Sequence, residues 1–112
     1  MPGVYTVTQM NSYIKNMFRQ DFVLSRISVK GEVSNCKYHT SGHIYFSLKD
    51  GQGVMSAIMF AGSAKNLEFR LENGMQVIVS GRIDVYERDG KYQLYANAIE
   101  ADGQGDLYNL KR

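Results

Sequence analysis

The stretch ISVKGEVSNCKYHTSGHIYFSLKD, residues 27–50, decides the fold because it alternates apolar and polar residues twice over. The apolar residues of each half share one face: Ile27, Val29, Gly31 and Val33, then Ile44, Phe46 and Leu48. A period of two is typical of a strand with one buried side. The stretch therefore predicts two strands joined by a loop over residues 35–42. Gly31, on the inward face, predicts a bulge or a bend in the first strand.

The flanking sequence predicts three more strands and two helices. The predicted elements are a helix over 7–19, a third strand over 54–60, a helix over 61–71 behind a Ser63 cap, a fourth strand over 75–85 and a fifth over 92–99. Thr6 and Gln9 have capping-box spacing, and Gly81 predicts a second bend. These elements predict a mainly β fold, a five-stranded Greek-key OB-fold barrel with an N-terminal helix and a helix between strands 3 and 4.

The first helix is amphipathic. Its apolar residues recur on one face: Met10, Tyr13, Ile14, Met17 and Phe18. A stripe of this width is normally buried, so we expect this face to pack against another part of the protein.

Length and composition predict one domain. A chain of 112 residues, 44% of them hydrophobic, is enough for one core. We expect residues 1–106 to form this domain and residues 107–112 to start a continuation. The single cysteine, Cys36, excludes an internal disulfide and is typical of a reducing compartment. No apolar run is long enough to cross a membrane. We therefore predict a cytoplasmic location and no membrane partner.

Charge is unevenly distributed along the chain. Four cations and one carboxylate lie between Arg26 and Lys49, a net charge of +3, whereas the whole chain carries +2. Six acids and two cations lie between Asp84 and Asp106, a net charge of −4. One basic side of a small domain indicates binding of a polyanion.

The second and third strands of an OB barrel, with the loops after strands 1 and 4, form its usual groove for oligonucleotides or oligosaccharides. Single-stranded nucleic acid needs cations along its phosphates and flat rings on which its bases stack. The cation candidates are Lys30, Lys37, Lys49 and Arg82, and the ring candidates are Tyr38, His39, His43, Tyr45 and Phe60. Four of these five rings have a structural alternative: Tyr45 packing under a loop, His39 and His43 bonding to loop backbone, and Phe60 plugging the barrel.

Catalytic groups are missing from the sequence pattern. The acids nearest the basic strands, Glu32 and Asp50, stand alone at opposite ends, whereas a metal-dependent nuclease needs several converging carboxylates. No nucleophile–base pair or glycine-rich phosphate loop occurs at usable spacing. We therefore predict no catalytic residue, no metal site and no cofactor in this chain.

Several segments resemble the N-terminal OB-fold domain of the large subunit of bacterial exodeoxyribonuclease VII. The segments are VTQMNSYI at 7–14, GEVSN at 31–35, SGHIYFSLKD at 41–50, AIMF at 57–60, NGMQVIVSGRIDVY at 73–86 and YQL at 92–94. The resemblance implies a module that binds single-stranded DNA for an enzyme that degrades it to oligonucleotides. Cleavage residues would lie in the following part of the large subunit, and small subunits would bind beyond it.

The resemblance also implies site residues. It adds Asn35 to the binding candidates and supports Lys37, His39, His43, Tyr45, Lys49, Phe60 and Arg82. The chain departs from the family pattern at Cys36, Tyr38, Ser56 and Ala61. The leading hypothesis is a single-stranded DNA binding module without catalysis of its own. The alternative is a docking or self-association module, which would be a homo-oligomer or bind the rest of the large subunit.

Overall fold

The computed structural model describes residues 2–102, which form the predicted five-stranded barrel. Its elements are α1 Val7–Gln20, β1 Ile27–Tyr38, β2 Ile44–Lys49, β3 Val54–Met59, α2 Ala61–Ala64, β4 Gln76–Tyr86 and β5 Lys91–Ala101. The strands close in the order β1-β2-β3-β5-β4. The predicted fold class is therefore confirmed. The predicted continuation at residues 107–112 lies outside the described residues.

Strand β1 closes the barrel by changing its pairing partner. Residues 27–32 pair with β4, and residues 32–38 pair with β2, so Glu32 has a partner on each side. Gly31 lies at this exchange, where an added Cβ would sit 3.1 Å from the Lys49 carbonyl oxygen. The glycine therefore allows β1 and β2 to lie close together at the point where β1 changes its pairing partner from β4 to β2.

The prediction of a loop over residues 35–42 is wrong in its first half. Lys37 pairs with Tyr45 and Tyr38 with Ile44, so β1 continues to residue 38. One extra residue between Ser34 and Lys37 forms a bulge, at which Asn35 has a φ of 50°. Asparagine adopts this left-handed conformation more readily than most residues, so the strand kinks and then resumes pairing. The bulge in the pairing of β1 with β2 therefore lies after Gly31, the residue at which the sequence predicted a bulge or a bend.

Strands β4 and β5 make the longest pairing of the barrel, with a bulge beside Gly81. Ser80 pairs with Ala98 and Gly81 with Ala96, so Asn97 is the extra residue. A Cβ at Gly81 would collide with the Tyr95 carbonyl group, 2.9 Å from its carbon, and lie 3.1 Å from the Ala96 Cα. Both contacts are with backbone atoms of β5, so only glycine can occupy this position without a shift of β5.

The core contains most of the inward residues that the alternation predicted, whereas Ile27 and Val29 are only partly buried and pack against it. Each strand contributes buried side chains, and Leu71 closes one end: Val33, Ile44, Phe46, Leu48, Ala57, Met59, Leu71, Val77, Val79, Ile83, Leu94, Ala96 and Ile99. Burial of these residues removes apolar area from water, which is the main favourable term in the folding of a small domain.

The second helix is shorter than predicted. It ends at Ala64, and its N-cap is Phe60 without a side-chain bond, so the predicted Ser63 cap is wrong. The segment after it does not continue as helix, and Leu71, the last residue of the predicted helix, is buried in the core. Both the N–H and the carbonyl of Leu71 bond to the Tyr38 hydroxyl.

Helix α1 begins at the predicted capping box between Thr6 and Gln9. It contacts the barrel mainly through polar side chains. Phe18 of the predicted apolar face does pack against the core and lies 6.2 Å from the Tyr92 ring, but the expectation of burial is wrong for the other four residues of that face. Asn11 and Ser12 donate to the backbone and the carboxylate of Glu87, and Lys15 Nζ donates to the Val85 carbonyl at 2.7 Å. Most of the apolar face, including Met10, Tyr13, Ile14 and Met17, is exposed. In the described part of the chain, no helix is long and apolar enough to cross a membrane.

Asp84 is the main anchor of α1. Its carboxylate is 4% exposed and lies 3.3 Å from Lys15 Nζ and 3.5 Å from Arg19 Nε. Burial alone would raise the pKa of Asp84, but hydrogen bonds from the Val85 N–H, Lys15 and Arg19 outweigh it and hold the pKa below its ordinary value of 3.8. The carboxylate is therefore ionised at neutral pH and pins the helix to β4.

We expect Gly81→Ala to lower the free energy of unfolding by about 2 kcal/mol or more, because β5 must move to admit the Cβ. Urea unfolding followed by circular dichroism measures this. Gly51→Ala is the matched control, since an added Cβ at Gly51 meets no atom within 4 Å. Equal stability of the two variants would contradict the close approach of β4 and β5.

We expect Asp84→Asn to destabilise the domain at pH 7 by about 2 kcal/mol, because Lys15 loses its buried partner. A group with a lowered folded-state pKa contributes stability above its unfolded pKa and loses that contribution as the pH falls through the folded pKa. The stability difference between wild type and variant should therefore shrink from about pH 5 downward. Thermal unfolding at a series of pH values measures it, and a difference independent of pH would show that Asp84 is not the anchor.

Candidate nucleic-acid interface

Five residues on five strands form one row around the outside of the barrel. Strand pairing places them next to one another in the order Lys37, Tyr45, Ile58, Tyr95, Arg82. The row, which we call the aromatic row, has a cation at each end and a tyrosine on each side of its centre. Ile58 at the centre is buried, whereas Tyr45 is 42% exposed. The closed order of the strands thus brings together residues up to 58 positions apart in the chain.

Rings above the row extend it into a continuous surface. The Arg82 guanidinium lies 4.6 Å from the centre of the Tyr95 ring, and the Tyr95 ring lies 5.9 Å from that of Phe60. Phe60 in turn contacts His43 edge-on at 5.1 Å. On the other side of the row, His39 contacts Tyr45 edge-on at 6.1 Å. Flat surfaces of this kind stack on nucleobases without regard to base identity.

Both histidines also have the structural role that the alternative predicted. His43 Nδ1 accepts a 2.9 Å hydrogen bond from the Ala61 N–H, which leaves the ring proton on Nε2. His39 Nδ1 accepts from the Ser41 N–H at 3.1 Å and contacts its hydroxyl. These bonds orient the two rings, so a histidine that supports the loop backbone also presents a fixed ring to the surface.

Lys30 and Lys49 lie away from the aromatic row. Lys49 is on the same strand and face as Tyr45 but about 13 Å along it, at roughly 3.3 Å per residue. Together with Glu32 and Asp50, the two lysines line a separate cleft, and Lys49 Nζ is 3.9 Å from a Glu32 carboxylate oxygen. Hydrogen bonds from the Gln52 and Gly53 N–H groups lower the pKa of Asp50, so this cleft also holds negative charge. It is a weaker phosphate site than the ends of the row.

Asn35 and Tyr38 occupy structural positions. Asn35 forms the bulge of β1, and the Tyr38 hydroxyl exchanges two hydrogen bonds with Leu71, at 2.7 Å and 2.9 Å. The Arg70 guanidinium lies over the Tyr38 ring at 4.3 Å, as Arg82 lies over Tyr95, so the hydrogen bonds to Leu71 and not this contact mark Tyr38 as structural. Burial raises the pKa of the neighbouring Cys36 thiol, which keeps it protonated.

Tyr95 is the binding candidate that sequence reasoning missed. Its neighbours Leu94 and Ala96 point into the barrel, so the alternation of β5 already placed Tyr95 outward. What the sequence did not reveal is that β5 pairs with β3 at Ile58 and therefore lies beside the predicted groove. Among residues 2–102 there is no group of three or more His, Cys, Asp or Glu side chains that could hold a metal ion.

Comparison with known proteins gives close relatives that are longer than this chain. The chain is 67% identical over 108 residues to the Exodeoxyribonuclease 7 large subunit of Lachnoclostridium phytofermentans, covering 96% of this chain and 27% of the relative. It is 55% identical over 103 residues to the protein of the same name from Clostridium botulinum strain Okra, covering 92% of this chain and 26% of the relative. The chain thus spans about a quarter of these relatives, and the resemblance noted in its sequence is confirmed.

Solved structures of low sequence identity share the fold. A replication protein A heterotrimer bound to single-stranded DNA matches with a TM-score of 0.57 at 16% identity, over 79% of this chain and 67% of that one. The Stn1-Ten1 complex of S. pombe matches with a TM-score of 0.57 at 19% identity, over 78% of this chain and 67% of that one. The family model described as OB-fold nucleic acid binding domain matches residues 5–100. The chain therefore belongs to the family of OB-fold nucleic acid binding domains.

Proposed function

We propose that this domain binds single-stranded DNA along the aromatic row and delivers it to a nuclease domain of a longer polypeptide. The observation that carries the proposal is the row itself, the exposed ring of Tyr45 and the half-buried ring of Tyr95 between Lys37 and Arg82 on neighbouring strands. Rings for bases and cations for phosphates are the two requirements of single-strand binding.

Binding energy would come from stacking on Tyr45, Tyr95 and Phe60, each worth roughly 1 to 3 kcal/mol per base. Lys37 and Arg82 would contact phosphates, with His39 and His43 completing the surface. Lys30 and Lys49 would contact the bound DNA only if the DNA extends along β2. Asn35 and Tyr38 would act by shaping β1. Neither stacking nor phosphate contact distinguishes base edges, so we expect weak sequence selectivity.

The relatives motivate the rest of this proposal. They are named Exodeoxyribonuclease 7 large subunit, and this chain matches about a quarter of their length. We propose that catalysis resides in the part of such a protein beyond this region, and that this part would also bind the small subunits. A cytoplasmic location remains our prediction. One structural neighbour is a replication protein A heterotrimer bound to single-stranded DNA, which supports the same ligand for this barrel.

The exposed apolar face of α1 favours a second candidate, self-association through that helix. Met17 is 57% exposed, with Tyr13 and Ile14 beside it. The charged residues of α1 are Lys15 and Arg19, and both are engaged with Asp84. Two copies could therefore pack their α1 helices together without like charges meeting across the contact.

We expect Tyr45→Ala and Tyr95→Ala each to weaken binding of fluorescent oligo-dT by about 5- to 100-fold, the loss of one stack. Fluorescence anisotropy at two salt concentrations measures it, and affinity should fall with salt. Tyr5→Ala is the matched control, because Tyr5 is an exposed tyrosine that precedes α1 and lies outside the row. Affinity that ignores salt, or that is equal in all four proteins, would rule out the aromatic row as the binding site.

Sedimentation velocity separates the two candidates. The first predicts a monomer that binds oligo-dT. The second predicts a concentration-dependent dimer that Met17→Lys dissociates, because the substitution places a charge in the apolar contact. A wild-type domain that stays monomeric at all concentrations would exclude self-association through α1.

A further inference from the structure

Three cations converge on a single carboxylate where α1 meets the barrel. Asp84 Oδ2 lies 3.3 Å from Lys15 Nζ, 3.5 Å from Arg19 Nε and 3.9 Å from Arg82 Nε. Two of the cations come from α1 and the third from β4. The cluster therefore carries a surplus of two positive charges, although one lysine would have been enough to neutralise Asp84.

The surplus charge faces solvent. The Asp84 side chain is 4% exposed and that of Lys15 is 19% exposed, whereas Arg19 is 61% and Arg82 49% exposed. Lys15 is also committed to the Val85 carbonyl. An anion approaching from outside would thus meet two guanidinium groups, with the carboxylate behind them.

The two arginines share one partner atom. Both contact the same Asp84 oxygen through Nε, at 3.5 and 3.9 Å, so both side chains converge on this point of the surface. A guanidinium carries five N–H donors, and one contact through Nε leaves the others for a second acceptor. Paired guanidinium forks match the oxygens of a phosphate group.

The pair also adjoins the aromatic row. Arg82 is the last residue of the row, and its guanidinium lies over the Tyr95 ring. A phosphate held by Arg19 and Arg82 would be next to a base stacked at this end of the row. A phosphate site and a base site would then be neighbours along one bound DNA strand.

We propose that α1 is part of the nucleic-acid interface, with Arg19 and Arg82 forming a phosphate-binding site that the buried carboxylate of Asp84 holds in place. The inference rests on the proposed function and extends its binding surface from the barrel to the N-terminal helix. A helix held by Lys15, Asn11 and Ser12 does not need Arg19, whose exposed charge is then available to the ligand.

Titration of Arg19→Gln with fluorescent oligo-dT across a range of salt concentrations tests the site. We expect affinity at low salt to fall about fivefold, and the slope of log affinity against log salt to decrease by about 0.7, the loss of one single-strand phosphate contact. Arg19→Lys should retain the wild-type slope with a smaller loss of affinity, because it keeps the charge and loses the fork. Lys65→Gln is the control for removal of one exposed charge, since Lys65 lies at the end of α2.

The outcomes distinguish this inference from the function on which it rests. No binding by the wild type overturns the proposed function itself. Wild-type affinity and slope in Arg19→Gln, together with weak binding by the Tyr45 and Tyr95 variants, overturns the inference and leaves the function standing. A loss of affinity with an unchanged slope and a lower unfolding temperature overturns it too, because Arg19 would then act only by holding α1.

Discussion

The exchange of partners by β1 is the constraint on which the rest of the structure depends. A strand that bonds to β4 with one half and to β2 with the other turns a sheet with two edges into a barrel with none. Closure of the barrel fixes the register in which each strand pairs with its neighbours. It therefore places Lys37, Tyr45, Tyr95 and Arg82 at one height, although no local sequence pattern relates β1 to β5.

Glycine and asparagine make this closure possible at three points. Gly81 allows backbone to approach backbone more closely than a Cβ would permit, a Cβ at Gly31 would be tight against the Lys49 carbonyl, and Asn35 takes up the left-handed conformation of a bulge. The bulge keeps β1 paired through residue 38 and so brings Lys37 beside Tyr45. The position of one end of the candidate site thus depends on a backbone irregularity two residues away from it.

Local pattern predicted what depends on one strand at a time. The alternation of Ile44, Phe46 and Leu48 is a property of a buried strand face, and the structure buries all three. The sequence could not predict that α2 stops at Ala64, because Leu71 is drawn into the core by contacts with strands distant in the chain. It likewise indicated that Tyr95 points outward but not that β3 lies beside it. The features that the sequence did not predict are therefore contacts between distant segments, whereas those it predicted correctly depend on the periodicity of a single segment.

The orientation of helix α1 on the barrel is also a feature that the local sequence pattern did not predict. Amphipathicity identifies the apolar face of a helix, and apolar burial normally decides which side meets the protein. Here a buried carboxylate 65 residues from Arg19 attracts the polar side, and several hydrogen bonds to the β4–β5 end of the barrel add to it. Removing Asp84 from water is costly unless its charge is paired and bonded, so the helix must keep Lys15 on that carboxylate. Most of the apolar face is then left open to solvent, and Arg19, which the anchor does not require, shares the carboxylate with Arg82 at the end of the aromatic row.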